Sequence, residues 1–233
     1  MNQTHISPSG QAKWAKVFSP NMKFISDKKP HGTYEVDLIL TENEAKPLIS
    51  LLTDMDNANY AQVASEALKA HREKAQGKQD TFKDGLDFAK KKGIERNPLP
   101  FKPELDGSLE KTGNIVFKFK EDAKWVRKSD GQEWDMKPKV VNAKNKKWDA
   151  GIEIGNGSTI KVAYEISPYQ KPCCGVSTKL RGLQVITLVE YGGGSGSASA
   201  LFNEEEGEDI GAEEVADQVS EMFAEQSAED VPF

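Results

Sequence analysis

The sequence predicts a mainly β fold, a small closed or nearly closed barrel of about five short strands interrupted by one long helix. Three observations point there. Several short runs alternate strictly between apolar and polar residues. One stretch, from Glu44 to Lys74, has helical spacing instead. After Tyr191 the composition changes to a form that cannot build a core.

A first strand lies in "KWAKVF", residues 13–18, and a second in "TYEVDLIL", where Tyr34, Val36, Leu38 and Leu40 share one face. The helical stretch places Leu48, Leu52, Met55, Tyr60, Val63, Ala64, Ala67, Leu68 and His71 at i, i+3 and i+4 spacing. Asn43 is its expected N-cap, Pro47 is tolerated near the first turn, and the acidic, Asn-rich "DMDNAN" is expected to break it in two. Residues 75–113 are polar and punctuated by Gly and Pro, so they read as a long excursion with a short helix around Phe82–Lys91. In "NIVFKFK", Ile115, Phe117 and Phe119 share a face and turn Lys118 and Lys120 to the other. A strand in "KPKVV", a turn at Gly155-Asn156-Gly157 and a strand in "TIKVAYEIS" follow, the last with Ile160, Val162, Tyr164 and Ile166 on one side. "LQVITLVEY" is apolar on both faces, as a central or doubly covered strand would be. An oligonucleotide-binding (OB) fold leads among small barrels, although periodicity alone also fits a sandwich. Residues 1–191 form the expected domain, 192–202 ("GGGSGSASA" onward) a flexible linker, and 203–233 a disordered acidic tail.

Charge is divided unevenly. The last 31 residues hold twelve Asp or Glu and no Lys or Arg, which leaves 25 acids against 31 bases in residues 1–202, about +6. That asymmetry points to a polyanion partner for the body, with a solubilising tag as the bland alternative. Nowhere do eighteen apolar residues occur together, and the start "MNQTHISPSG" lacks a signal-peptide pattern, so neither a membrane span nor secretion is expected. The adjacent Cys173 and Cys174 suit reduced thiols in a turn of a cytosolic protein rather than a disulfide framework or zinc site. His5, His31 and His71 make no cluster by spacing. No phosphate-binding loop, nucleophile–base order or zinc spacing is present, so no catalytic residue, metal or cofactor is assigned.

What recurs is Lys beside an aromatic ring: Lys13-Trp14, Lys23-Phe24, "FKFK" at 117–120, "KWVRK" at 124–128 and "KKW" at 146–148. A surface for single-stranded nucleic acid needs that mixture, because cations follow phosphates while flat rings stack on unpaired bases. Candidates for such contacts are Trp14, Lys23, Phe24, Lys118, Lys120, Lys124, Trp125 and Arg127. Phe117 and Phe119 read as core rather than platforms, Trp14 and Trp148 fit either core or surface, and Trp125 between Lys124 and Arg127 is the strongest stacking candidate. Lys118 and Lys120 fit a solvated strand face equally well.

The stretch "GNGSTIKVAYEISPYQ", then "VSTKLRGLQVITLVEYGGG" and an acidic tail ending in Phe233, resembles the single-stranded DNA-binding proteins of T-seven-type bacteriophages. "HGTYEVDLIL" and "FKFK" fit the same pattern, so the resemblance covers most of the chain outside residues 54–113. It implies an OB barrel that coats single-stranded DNA in phage replication and recombination, in the cytoplasm of an infected bacterial cell. It also implies a tail whose terminal aromatic, Phe233, docks with neighbouring Asp230 and Glu229 on the replication polymerase and the helicase-primase, and it is compatible with a homodimer. Tyr169 in "SPYQK" matches the family's stacking aromatic. Where the pattern has a second aromatic two positions later, this chain has Lys171, kept as a DNA-contact candidate; Trp125, Phe24 or Trp14 are the candidates to replace the missing ring. The tethered tail is expected to compete with DNA for the basic cleft at roughly millimolar effective concentration. Two other readings remain open: an acidic-tailed adaptor or chaperone without nucleic-acid affinity, and a small metal-dependent nuclease.

Overall fold

The computed structural model describes residues 3–23, 25–26, 30–75, 81–127, 129–171 and 173–190. The expectations for the linker at 192–202 and the tail at 203–233 lie outside the described residues. In chain order the elements are β1 (Thr4–Ile6), β2 (Gly10–Asn21), β3 (Thr33–Thr41), α1 (Glu42–Lys74), α2 (Gly85–Lys92), β4 (Phe101–Leu105), β5 (Lys111–Asp122), β6 (Lys124–Val126), β7 (Glu133–Asp135), β8 (Lys139–Asn142), β9 (Thr159–Tyr169) and β10 (Gly175–Thr187).

Five strands close on themselves in the order β2–β3–β5–β10–β9 and back to β2. Every contact in the ring is antiparallel except β5–β10, which is parallel at Lys120↔Lys179. This is the OB barrel. Three short strands extend its edges: β1 pairs with β9, β4 with β5, and β8 with β10. β6 and β7 form a separate two-stranded hairpin.

The ring closes because each strand buries one face. Val36 and Leu38 of β3, Phe117 and Phe119 of β5, Ile160 and Val162 of β9 and Leu180 of β10 have no exposed surface. Tyr164 packs among them against Phe119, and burial pushes its phenol up to about 12. Phe117 and Phe119 are therefore core. Trp148 packs partly buried against the core and donates its Nε1 proton to the Ile152 carbonyl at 2.9 Å, whereas Trp14 is 60% exposed.

Several boundaries differ from the sequence reading, each for a non-local reason. The cap of α1 is Thr41 rather than Asn43: Glu44 N–H donates to the Thr41 hydroxyl, and the Glu44 carboxylate accepts from the Thr41 backbone N–H at 3.1 Å, completing a capping box. The helix runs unbroken through "DMDNAN", where two of the four polar residues, Asp56 and Asn59, are buried and paired inside the protein. Asp56 accepts from Arg96, and Asn59 donates to the carbonyls of Tyr169 and Gly175 at 3.0 Å each. Pro47 is the sixth helical residue, so the Asn43 carbonyl loses its intrahelical partner while the helix continues. The excursion over 75–113 contains β4 as well as the expected short helix. β10 begins at Gly175 and ends at Thr187, which leaves Ile186 and Val189 each 40% exposed rather than doubly covered. Among the described residues no helix is long and apolar enough to cross a membrane.

Loss of the α1 cap tests the helix start. Thr41→Ala is expected to cost about 1 kcal/mol and to lower the melting temperature by roughly 2–4 °C in a thermal denaturation scan.

Candidate nucleic-acid interface

Burial of Phe117 and Phe119 forces Lys118 and Lys120 onto the outer face of β5, because successive side chains on a strand point to opposite sides. On β3 the same rule turns Glu35 and Asp37 outward when Tyr34, Val36 and Leu38 face the core. The register then lines up two charged rows across the barrel. One is Lys13 of β2, Asp37 of β3 and Lys118 of β5. The other is Lys16 of β2, Glu35 of β3, Lys120 of β5 and Lys179 of β10.

In each row a carboxylate on β3 sits between lysines. Glu35 lies 3.7 Å from the Lys120 ammonium and 3.9 Å from that of Lys118, and Asp37 lies 3.9 Å from Lys118. The acids are sheltered, with side chains 13–14% exposed, and the lysines are open, at 47% and 50%. Burial raises the Asp37 carboxyl above its ordinary range, against the downward pull of Lys118 and with an upward push from Glu35. At Lys120↔Lys179 two like charges stand directly opposite, an arrangement that costs stability until an anion bridges it.

A groove of about 490 Å³ opens over this face. Lys118, Lys120, Lys124 and Lys179 line it together with Trp125 and Tyr169. Sequence reasoning named all of these except Lys179, whose strand it began too late. Tyr169 ends β9, and its ring lies across Gly175: a Cβ there would stand 2.6 Å from the Tyr169 Oη, so a larger residue would displace the ring. Asn59 of α1 fastens the two strand ends at this loop by donating to both carbonyls.

Trp125 comes from the β6–β7 hairpin. It packs against Trp134 across the pair, with ring centroids 4.7 Å apart, yet stays 53% exposed toward the groove. The hairpin is tied to the barrel by Ala123 N–H donating to the Gly32 carbonyl at 3.0 Å. Lys124 donates to Glu133 at 2.6 Å, which raises the lysine and lowers the acid from their ordinary values. Arg127 stacks its guanidinium 4.7 Å over Trp134 and pairs with Asp130 at 2.9 Å, so it braces the hairpin outside the residues lining the groove.

The remaining candidates fall elsewhere. Lys23 is exposed in the β2–β3 loop, where its N–H donates to Asn21 Oδ1 at 2.9 Å. Lys171 is exposed in the β9–β10 loop beyond Tyr169. Trp14 borders a separate cavity with Lys13 and Lys102. Phe24, Glu229, Asp230 and Phe233 lie outside the described residues. Missed altogether were Glu35 and Asp37, although they alternate with the apolar face already noted, and Asn59, for which a helix-face reading offers no signal. His5 stacks on Tyr164 and His71 packs against Phe82 and Phe88. Both cysteines are free, and burial pushes the Cys174 thiol up. Among the described residues no three His, Cys, Asp or Glu are grouped to hold a metal ion.

The chain as a whole is similar to known proteins. A family model described as the single-stranded DNA-binding protein of bacteriophage T7 matches residues 10–191. The chain is 28% identical over 195 residues to the single-stranded DNA-binding protein of Enterobacteria phage T3, spanning 81% of this chain and 71% of that one. Against the single-stranded DNA-binding protein of Escherichia phage T7 it is 26% identical over 172 residues, spanning 71% of this chain and 66% of that one. The crystal structure of gp2.5, a single-stranded DNA-binding protein encoded by bacteriophage T7, superposes with a TM-score of 0.59 at 22% identity, over 91% of this chain and 100% of that one. With the family model spanning the whole barrel and the barrel itself shared, this chain belongs to the T7-type bacteriophage single-stranded DNA-binding protein family.

Proposed function

We propose that the protein binds single-stranded DNA without catalysis and with little sequence preference, coating it during phage replication and recombination. The observation that carries this reading is the groove in which Tyr169 and Trp125 stand among Lys118, Lys120, Lys124 and Lys179. Rings supply stacking that every base can use, and lysines supply phosphate contacts that carry no sequence information. The bases stack on Tyr169 and Trp125 while phosphates draw the lysines away from Glu35 and Asp37, relieving the opposed pair at Lys120 and Lys179 first.

The acidic tail, in the same reading, occupies the groove when DNA is absent. Phe233, with Asp230 and Glu229, imitates a base and its phosphates weakly enough for a long strand to displace it. The freed tail then docks on the replication polymerase and helicase-primase in the infected cell's cytoplasm, and a homodimer would present two such tails. An adaptor or chaperone acting through the tail alone would need no such groove.

A gel shift with a labelled strand of about 30 nucleotides in EDTA separates these readings, since that length exceeds the ~4–16 nucleotides one OB fold covers. Binding in EDTA with the strand left intact when Mg²⁺ is supplied supports the proposal, metal-dependent loss of the strand favours a nuclease, and a tail-less body that fails to bind sinks it. Tyr169→Ala and Trp125→Ala are each expected to weaken binding 5–150-fold at fixed salt, the equivalent of about 1–3 kcal/mol per stacked base. Deleting residues 203–233 should tighten binding, most at low salt; unchanged affinity in a fluorescence titration near about 50 mM salt would count against the tail's role.

The raised carboxyl of Asp37 gives a pH dependence with a definite sign. Anionic Asp37 holds Lys118 and repels phosphate, so DNA binding favours the protonated form. Affinity should therefore rise as pH falls toward the raised titration range of the Asp37 carboxyl. Asp37→Asn should bind more tightly at neutral pH and lose that part of the pH dependence.

A further inference from the structure

Strand β2 does not run straight. Its register on β3 slips between Lys13 and Lys16, and Trp14 in the slip has φ +56°, in the left-handed region that side chains other than Gly rarely adopt. Core packing gives no reason for this conformation, since Trp14 is 60% exposed. Yet the bulge is pinned from outside. The Trp14 N–H donates to Asn156 Oδ1 at 2.8 Å, and Gly157 N–H donates to the Ala12 carbonyl at 2.8 Å, so the turn before β9 grips both sides of it. Backbone strain held in place by its surroundings is typical of functional positions. Here it presents an indole to solvent.

Beside that ring lies a cavity of about 180 Å³ bordered by Lys13, Lys102, Asp37, Glu104, Pro103 and Val116. It is smaller than the roughly 300–1,000 Å³ of a drug-sized ligand site. Its two lysines are balanced by two carboxylates, so a phosphate has to draw the lysines from Asp37 and Glu104, while the exposed indole offers one base a face to stack on. Lys13 is paired with Glu104 at 3.5 Å, but Glu104 also accepts from Thr112 Oγ1 and Asn114 Nδ2 at 3.1 Å each, so it remains hydrogen-bonded when Lys13 turns to a phosphate.

The cavity is joined to the groove through the charged row. Asp37 borders the cavity, Lys118 borders the groove, and the two are an ion pair. Trp14 stands beyond the β2 residues that pair with the start of β9 at Ile160, and Tyr169 lies nine residues further along β9 from that pairing, roughly 30 Å of strand. That is too far for one base to reach both rings.

We propose that the cavity beside Trp14 is a second nucleotide-binding site, in which a base of single-stranded DNA stacks on the indole while Lys13 and Lys102 hold its phosphates. One strand then runs from the Tyr169 groove over the Lys118–Asp37 pair to Trp14. This deepens the single-stranded DNA reading of the groove and rests on it.

The test compares oligothymidylates of about 4 and 16 nucleotides, the ends of the OB-fold range, by anisotropy titration of the full chain. Trp14→Ala should leave the short oligomer's affinity unchanged and weaken the long one 5–150-fold, with Trp14→Phe keeping most of the binding. Lys13→Gln with Lys102→Gln should make the salt slope on the long oligomer shallower by about 1.4, two phosphates at ~0.7 each. Tyr169→Ala should weaken both lengths. If Tyr169→Ala weakens both while Trp14→Ala binds the long oligomer as the unaltered chain does, the second site is overturned and the groove stands. If Tyr169→Ala changes neither, the groove reading fails and takes the second site with it. Trp14→Gly separates presentation from folding: Gly accepts this φ but frees the unfolded chain by a similar amount, so the melting temperature should stay within roughly 2–4 °C while long-oligomer affinity falls. A fall of the melting temperature well beyond that range would make Trp14 a structural residue and overturn the proposal.

Discussion

A strand cannot bury two neighbouring side chains on the same side, and this alternation is the constraint on which the molecule depends. Phe117 and Phe119 have no exposed surface, so Lys118 and Lys120 must face out. Val36 and Leu38 do the same for Glu35 and Asp37 on the neighbouring strand. The core thus orders the charges of the surface. A shift of one residue in the β3–β5 register would carry the phenylalanines into water and the lysines inward, so the packing that stabilises the barrel also keeps the interface in register.

The order of charges matters as much as their number. Like charges directly opposite one another repel, and in both rows β3 sets a sheltered carboxylate between flanking lysines, which leaves Lys120 and Lys179 as the opposed pair. The acids are already desolvated by the fold, whereas the ammonium groups remain near half exposed. An incoming phosphate replaces an existing partner instead of meeting a bare cation. The net gain per contact is correspondingly small, which in the proposed reading suits a protein that covers a strand and later leaves it. Glu121 at the groove wall fits the same scheme, held by Arg181 at 2.6 Å rather than left to oppose the strand.

How much of this could be read from the chain follows from how local each feature is. Alternation in "TYEVDLIL" and "NIVFKFK" reveals the inner face directly, because the period is a property of the strand itself. Lys118 and Lys120 come with it. Lys179 does not, since "VSTKLRG" holds Gly182 in mid-strand, where a Cβ would stand 2.6 Å from the Lys139 carbonyl oxygen; the glycine that reads as a break is there to let β8 approach. β4 hides behind Pro103. The bulge at Trp14 has no sequence signature, because the slip is set by Asn156, 142 residues away. "DMDNAN" looks like a helix breaker because Asp56 and Asn59 find their partners 40 and 110 or more residues distant.

Those two buried polar residues explain what the long helix contributes. The proposed stacking on Tyr169 needs a ring whose position is settled before the base arrives, since ordering a loop on binding subtracts from affinity. Tyr169 sits where β9 runs into a loop, a place that would otherwise fray. Asn59 fastens the carbonyls of Tyr169 and Gly175 to α1, and Asn97 N–H donates to the Cys174 carbonyl at 2.8 Å from the opposite side. Asp56, through Arg96, holds the segment that supplies this second grip, and Arg96 lies 4.7 Å over Tyr60 of the same helix. The helix therefore reaches the interface by clamping the loop that carries the ring, although it contributes no residue to the groove lining. That is why Asp56 and Asn59 of its most polar turn face inward, against the expectation that such a turn would break it.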